Sequence, residues 1–479
     1  MIVIDAEYAT HPDANLNGNP LSEAIEVSLD RDVLLNNIVS KPNIQTNFWS
    51  LPPFYQMTQL RQLTDAHQPL PQTWLMYNKI MSMILYSYVR RDPFSPEMVR
   101  LKSRLAEQMR QEKVKFIHPV GLTTAPSALV TGDSGTGKTT MIRTLQSGIP
   151  QVVNHRSYKG KHFANKQLVW VSFDLPPTGS AKAMAVNFFR AVDAALGTEY
   201  ADEWSARDRE SVDKHLTAMQ ICALEHNLGM AHVDELQFML GYSKSLNSPN
   251  LQILEALFNK IGVPILQSCT AEGVDVFKAL PSGDYRIGTD TTTVRRMLND
   301  REYRLSNHDL SSTYFSELFD SLFPKALEHP LTPKDAREGF KSKFHKLSCG
   351  LPAIMIRLAL LHHETLVNLL ENSNSNDGYH TYHEGLLEMV YRNQFSLIDP
   401  ALAQYRRGDK SGYEKSIRTD SSKTAYSNAE VVEERKKVPK KKVEIVKTEI
   451  PENQNLMLGV DSLSSEGEFL QGLEDDDNV

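Results

Sequence analysis

Apolar and polar positions change rhythm several times along the chain. In TWLMYNKIMSMILYSYVRR (73–91) apolar groups recur at helical spacing, and after the break DPFSP a charged amphipathic helix is predicted over EMVRLKSRLAEQMRQEK (97–113). The Met and aromatic stripe of the first helix reads as packed core, because Met fills irregular gaps. From about 120 to 310 short apolar runs alternate with helical stretches. Strands are predicted in SALVT (127–131), QLVWVSFDL (167–175), GMAHVDELQF (229–238), VPILQSCT (263–270) and REYRLSN (301–307), and helices in TTMIRTL (139–145) and SAKAMAVNFFRAVDAAL (180–196). That alternation predicts an α/β fold, a parallel sheet with crossover helices. From 311 to 395 the pattern is helical: STYFSELFDSLF, PKDAREGFKSKFHKLS and LPAIMIRLALLHHETLVNLL.

The flanks differ. Residues 1–60 are rich in Asn and Pro, as in NGNPLSEAIEV and NFWSLPPFY, and read as an extended arm low in helix. Beyond about 405 blocks of like charge, ERKKVPKKKVEIVK and LEDDDNV, predict a largely disordered tail. The expected organisation is an N-terminal arm (1–60), an N-terminal helical segment (61–120), an α/β nucleotide-binding core (121–310), a helical lid (311–400) and a tail (401–479).

Composition narrows the class. The 479 residues, 41% hydrophobic, suffice for two or three units with a sizeable core. The net charge of −7 means that any nucleic-acid contact must use a local patch. Cys222, Cys269 and Cys349 are far apart, which fits a reducing cytoplasm and argues against a disulfide framework or thiolate zinc site. No uninterrupted apolar run of membrane-spanning length is visible, and the acidic N-terminus lacks the basic region of a signal peptide.

The candidate chemistry begins at GDSGTGKTT (132–140). The pattern G-x-x-x-x-G-K-T, between a predicted strand and helix, is a P-loop: Gly132, Asp133, Ser134, Gly135, Thr136, Gly137, Lys138, Thr139 and Thr140 would wrap phosphates. Lys138 would reach the β- and γ-phosphates, and Thr139 would offer its hydroxyl to Mg²⁺. Downstream, the strand in MAHVDELQ ends in Asp234 and Glu235, suited to holding the Mg²⁺ shell and to polarising an attacking water. Solvated strand-end acids are the bland alternative. His232 inside that strand reads as a buried, hydrogen-bonded ring, since no second metal ligand sits at useful spacing. Thr270, ending the next strand, either senses the γ-phosphate or caps the strand, with Ser268 a weaker candidate. Arg295 and Arg296 either lie at a solvated helix end or reach a neighbouring subunit's nucleotide. Arg357, an exception on an apolar face, either reaches back to the phosphates or pairs with an acid.

Several stretches resemble a family more specific than the AAA+ ATPases that these features describe together: TnsC, the AAA+ regulator of cut-and-paste transposons, related to TniB. The carrying segments are NPLSEA (19–24), SYVRRDP (87–93), the P-loop, PQVVNHR (150–156), NFFRAVDAALGTEY (187–200), VDELQ (233–237), IGVPILQSCT (261–270) and IDPALAQYRRG (398–408), in that order. The resemblance implies an ATPase, with ATP and Mg²⁺ as cofactors, that assembles as a ring or filament on double-stranded DNA and links a target-selection protein to transposase subunits. Lys138, Thr139, Asp234, Glu235 and Thr270 carry over as site residues, and Arg295 and Arg296 match the family's paired arginines less closely. The Ala231–His232 interruption departs from the family's aliphatic strand. Lys159, Lys161 and Lys182 are candidate DNA-phosphate contacts, with solvated surface lysines as the alternative. The tail run Lys436–Lys442 would add loose DNA affinity, bind an acidic partner or merely solubilise. Two rival readings stay open: a switch-type signalling or defence ATPase that assembles without DNA, and a small-molecule phosphotransferase, for which no second-substrate pocket is visible.

Overall fold

Five strands make the main sheet: β2 (Ser127–Gly132), β5 (Trp170–Asp174), β6 (Met230–Asp234), β7 (Ile265–Cys269) and β8 (Glu302–Leu305). Their spatial order is β5-β6-β7-β2-β8, with every neighbouring pair parallel. The computed structural model describes residues 2–110, 125–241, 250–277, 297, 302–372 and 378–417. These belong to one unit, Met1–Ser422. Arg295, Arg296 and the tail run Lys436–Lys442 lie outside the described residues.

The central strands β2, β6 and β7 are buried at every position, as parallel strands covered on both faces must be. Helix Ala181–Leu196 packs Met184, Phe188, Phe189 and Val192 into the core on one side of the sheet. It starts at a Ser180 N-cap, whose Oγ accepts from the Ala183 N–H, and ends at Gly197 in the left-handed region. On the other side helix Thr73–Val89 buries Met76, Ile80, Ile84 and Tyr88 in a core shared with the helical lid. In the lid, helices Thr313–Leu322, Ala336–Ser348 and Pro352–Asn372 close around Phe315, Phe319, Phe323, Phe340 and Phe344. Helix Pro352–Asn372 is long and apolar enough to cross a membrane by length and composition. Its Met355, Leu358, Ala359, His362, His363 and Leu366 are instead buried in this lid.

Three expectations need correction. QLVWVSFDL is not one strand: β4 (Lys161–Leu168) ends before Val169, and β5 begins after it. β4 pairs antiparallel with β3 (Val152–Tyr158), and β3 pairs parallel with β1 (Val3–Asp5), forming a second, three-stranded sheet. Lys159 and Gly160, at φ 46° and 79°, turn the β3–β4 hairpin in the doubly left-handed manner that matches strand twist. Residues 1–60, expected as an extended arm, contain helices Pro20–Glu23, Arg31–Ile38 and Pro53–Leu60 and bury Leu21, Ile25, Phe48 and Leu60. Asn19, with its side-chain oxygen accepting from the Leu21 N–H, and Pro20 at the first helical turn start the first of these. Order does not fade at 405 either. Helix Asp399–Arg406 is followed by a further helical turn over 410–417, in which Tyr413 and Glu414 are buried.

Candidate nucleotide site

The phosphate loop follows β2 directly and feeds helix Lys138–Ser147. Gly132 is obligatory for space: a Cβ there would lie 2.6 Å from the Leu305 carbonyl and 2.9 Å from Thr136 Oγ1. Gly137 is obligatory for conformation, capping the helix at φ 91°. The helix therefore starts with unpaired N–H groups and its positive end facing the loop. Lys138 Nζ donates to the carbonyls of Gly132 (2.8 Å) and Asp133 (3.1 Å). Burial pulls its ammonium below the ordinary lysine range, opposed by the carboxylates of Glu414, Asp234 and Glu235.

Thr139 Oγ1 donates to Asp234 Oδ2 at 2.8 Å. This joins the end of β6 to the first turn of the helix through a hydroxyl and a carboxylate, the hard oxygen donors that Mg²⁺ prefers. The other Asp234 oxygen accepts from Ser268 Oγ at 2.5 Å and from the Glu235 N–H at 2.8 Å. Burial pushes the Asp234 carboxyl up. These three hydrogen bonds, with the His232 charge, outweigh it and hold the group below the ordinary carboxylate range. The His232 contribution operates only where that ring is protonated, and burial drives its own value down to about 4. Near neutrality the hydrogen bonds therefore set the Asp234 charge.

Glu235 sits at φ 59°, a left-handed conformation that costs a non-glycine residue on the order of 1 kcal/mol. The turn aims its carboxylate back at the site, where it accepts from Gln237 Nε2. Gln237 Oε1 in turn accepts from the Thr270 N–H at 3.2 Å. Glu235 and Thr270, on the ends of different segments, are thus joined by one side chain.

Ser134, Gly135, Gly137, Lys138, Thr139, Thr140, Asp234, Glu235 and Thr270 line a common cavity of about 430 Å³. Gly132, Asp133 and Thr136, expected with them, support the loop from behind. Thr136 Oγ1 donates to the Asp133 carbonyl at 2.7 Å, and Asp133 Oδ2 accepts from Tyr405 Oη at 2.8 Å and pairs with Lys410 at 3.3 Å. Arg357 is a correction. It is exposed, stacks over the Phe395 ring at 4.9 Å and donates to the Gln394 carbonyl at 3.4 Å, while its neighbour Ile356 lines the cavity. The ring and the carbonyl at the end of helix Glu384–Gln394 outcompete a reach toward the phosphates.

Several site residues carry no sequence signal. Ala66, His67 and Leu70, from the N-terminal segment, line the cavity together with Tyr314, Leu318 and Ile356 of the helical domain and supply most of its apolar lining. An antiparallel bridge between Ser40 and His67 holds that segment. Glu414, 280 residues from the loop, accepts from the Ser134 N–H and Oγ, and Tyr413 Oη donates to the Ser134 carbonyl at 2.9 Å. The D-E-L-Q run did contain Gln237, though its spacing alone does not reveal the clamp on Glu235.

The DNA candidates stand apart from this cavity and on different elements. Lys159 pairs with the buried Glu23 at 3.0 Å, Lys161 lies over the Phe94 ring at 5.4 Å, and Lys182 donates to the Asp208 carbonyl. Lys159 and Lys182 thus each hold an intrachain oxygen partner, while the Lys159 side chain stays 59% exposed.

Residues 122–275 match the AAA domain family. The chain carries an AAA P-loop domain. The match runs from just before β2 to just after β7 and contains the P-loop, Asp234, Glu235 and Thr270. No curated protein sequence matches the chain. Among solved structures, the Walker-type ATPase of Pyrococcus abyssi is similar at 16% identity, covering 66% of this chain and 77% of that one, with a TM-score of 0.34. Drosophila ORC bound to DNA is similar at 10% identity, covering 78% and 87%, with a TM-score of 0.31.

Proposed function

We propose that this protein is a Mg²⁺-dependent ATPase whose nucleotide state governs its own assembly on duplex DNA, a transposition regulator of the TnsC type. The observation that carries the ATPase reading is the 2.8 Å contact between Thr139 Oγ1 and Asp234 Oδ2, with Glu235 and Lys138 lining the same cavity. Thr139 and Asp234 would hold Mg²⁺, which when bound neutralises charge on the β- and γ-phosphoryl oxygens. Lys138 exchanges its two loop carbonyls for phosphate oxygens. Glu235 takes the proton of the attacking water, once Gln237 gives up its hold. The apolar wall of Leu70, Tyr314, Leu318 and Ile356 is suited to the face of a base.

The DNA and transposition parts of the reading rest on the ordered segments that resemble TnsC, from NPLSEA to IDPALAQYRRG. Co-sedimentation with long duplex DNA of unrelated sequences, with ATP, ADP or no nucleotide, tests them. We expect pelleting with ATP and Mg²⁺ only, weakened steeply by salt, and electron microscopy of the pellet should show rings or filaments around the duplex. ATP-dependent assembly indifferent to DNA would favour the switch-type ATPase. Monomers under all conditions would reject assembly control.

A further inference from the structure

Within the strand that ends in Asp234, a histidine stands where an aliphatic residue would pack. His232 is wholly buried, yet both ring nitrogens are engaged. Nδ1 lies 2.8 Å from Ser172 Oγ on β5, and Nε2 lies 2.9 Å from Ser268 Oγ on β7. Ser172 is the direct register partner of His232. Ser268 lies two residues beyond Leu266, the partner on the other side, and so projects from the same face. Three adjacent strands thus contribute one lateral row of polar groups, which leads to the carboxylate of Asp234.

We propose that Ser172, His232 and Ser268 form a one-directional hydrogen-bond chain that fixes the orientation of the Asp234 carboxylate for the metal-bound nucleotide, so that His232 and Ser268 are positioning residues. The inference rests on the Mg²⁺–nucleotide reading of the site. Its direction follows from proton counting. An ionised carboxylate only accepts. Ser268 has a single hydroxyl proton and spends it on Asp234 Oδ1. Toward His232 the same oxygen can only accept, so Nε2 carries the ring proton. A neutral imidazole then has its lone pair on Nδ1, which accepts from Ser172 Oγ. No step can be reversed while Asp234 remains ionised.

The chain matters because the carboxylate torsion of aspartate is soft, broad and nearly two-fold, so backbone and rotamer alone do not fix its oxygens. Here Oδ1 is filled by Ser268 and the Glu235 N–H, and Oδ2 faces Thr139. The two oxygens are no longer equivalent, and one is reserved for the nucleotide side. The polar row in the sheet does the orienting that outer partners commonly perform at metal sites.

The test measures binding of a fluorescent ATP analogue at a series of Mg²⁺ concentrations and in EDTA, with folding followed by thermal melts. Ser268→Ala and His232→Leu should raise the Mg²⁺ concentration for half-maximal binding roughly tenfold while leaving metal-free affinity within about twofold. His232→Gln, whose amide nitrogen can still donate to Ser268, should recover most of the loss. A merely structural role would lower the melting temperature and leave the Mg²⁺ dependence alone. Folded Ser268→Ala protein with unaltered Mg²⁺ half-saturation would overturn the proposal, as would equal losses with and without the metal. Should His232→Leu fail to fold, Ser268→Ala and Ser172→Ala decide the question. Wild-type protein that binds the analogue with no Mg²⁺ dependence would remove the site reading itself, and the chain's role with it.

Discussion

Glu414 grips Ser134 with both carboxylate oxygens: Oε1 accepts from the amide at 2.5 Å and Oε2 from the hydroxyl at 2.8 Å. A buried acid from the far end of the described chain thus clamps the third residue of the phosphate loop. Glu414 is also the foremost of the carboxylates that oppose the burial of Lys138. Replacing its charge by an amide keeps the shape and removes a repulsion against incoming phosphates. We predict that Glu414→Gln tightens ATP binding several-fold, corresponding to roughly 1 kcal/mol at an effective interior dielectric. Glu414→Ala should destabilise the unliganded protein by about 2 kcal/mol, the worth of hydrogen bonds to a charged group. Calorimetric titration and thermal melts read the two effects separately, and unchanged or weaker ATP binding by Glu414→Gln would refute the electrostatic argument.

Lys138 and Glu235 should separate binding from turnover. Lys138→Ala is expected to abolish nucleotide-dependent assembly, because no other cation lines the cavity among the described residues. Glu235→Gln should cut ATP turnover by roughly 10²–10⁴-fold, the usual worth of a general base, while assemblies on DNA persist. Turnover and dissociation assays on the same preparations check both. Unaltered turnover and assembly lifetime in Glu235→Gln would exclude Glu235 as the base.

The cavity wall predicts an affinity effect without a chemical one. Leu70 reaches within 3.7 Å of where a Gly137 Cβ would stand, and it lines the cavity with Tyr314 and Ile356. Leu70→Ala should weaken nucleotide binding by roughly three- to tenfold, the equivalent of about 1 kcal/mol of lost apolar contact, with saturated turnover unchanged. A fall in turnover at saturating ATP would place Leu70 in loop alignment instead.

Acid should loosen the lid. His362 donates from Nε2 to the Thr381 carbonyl at 2.8 Å and His363 to the Leu322 carbonyl at 3.1 Å, and both Nδ1 atoms are buried with no hydrogen-bond partner. Burial drives the two rings down to about 4 and about 3. Their folded values lie below the unfolded one, near 6.5, so the unfolded chain takes up protons first as pH falls. Stability is therefore full above about 6.5 and declines steadily toward 4, by on the order of 2 kcal/mol per ring by pH 5. Denaturant melts at pH 7.5 and pH 5 should show this decline, and the His362→Gln, His363→Gln double variant should flatten it. A wild-type stability independent of pH across that interval would contradict the burial argument.

The main elements of the fold and of the site were legible because their signals are local. The P-loop spacing, the acids ending an apolar strand and the 3.6-residue periodicity of helix Thr73–Val89 each lie within a few consecutive residues. The errors arose where local signals conflicted. QLVWVSFDL reads as one apolar run, yet Val169 marks the passage from one sheet to another, and run length cannot report which sheet a residue pairs with. Arg357 on an apolar helix suggested a reach to the phosphates or a pairing with an acid, but a ring and a carbonyl at the end of another helix hold it.

By itself the sequence determined the chemistry that can occur: a phosphate loop, a hydroxyl and two acids at its strand ends, and a helical domain beyond them. Short-range geometry suffices for that, since glycine spacing and apolar period act through the backbone of neighbouring residues. Only the tertiary structure decided what surrounds this chemistry. Leu70 reaches the nucleotide wall from the N-terminal segment, Glu414 holds Ser134 from 280 residues away, and Ser172, His232 and Ser268 meet across three strands. Those partnerships depend on which strands lie side by side and which helices cover them, a consequence of burying the whole apolar surface at once that no single stretch of chain encodes.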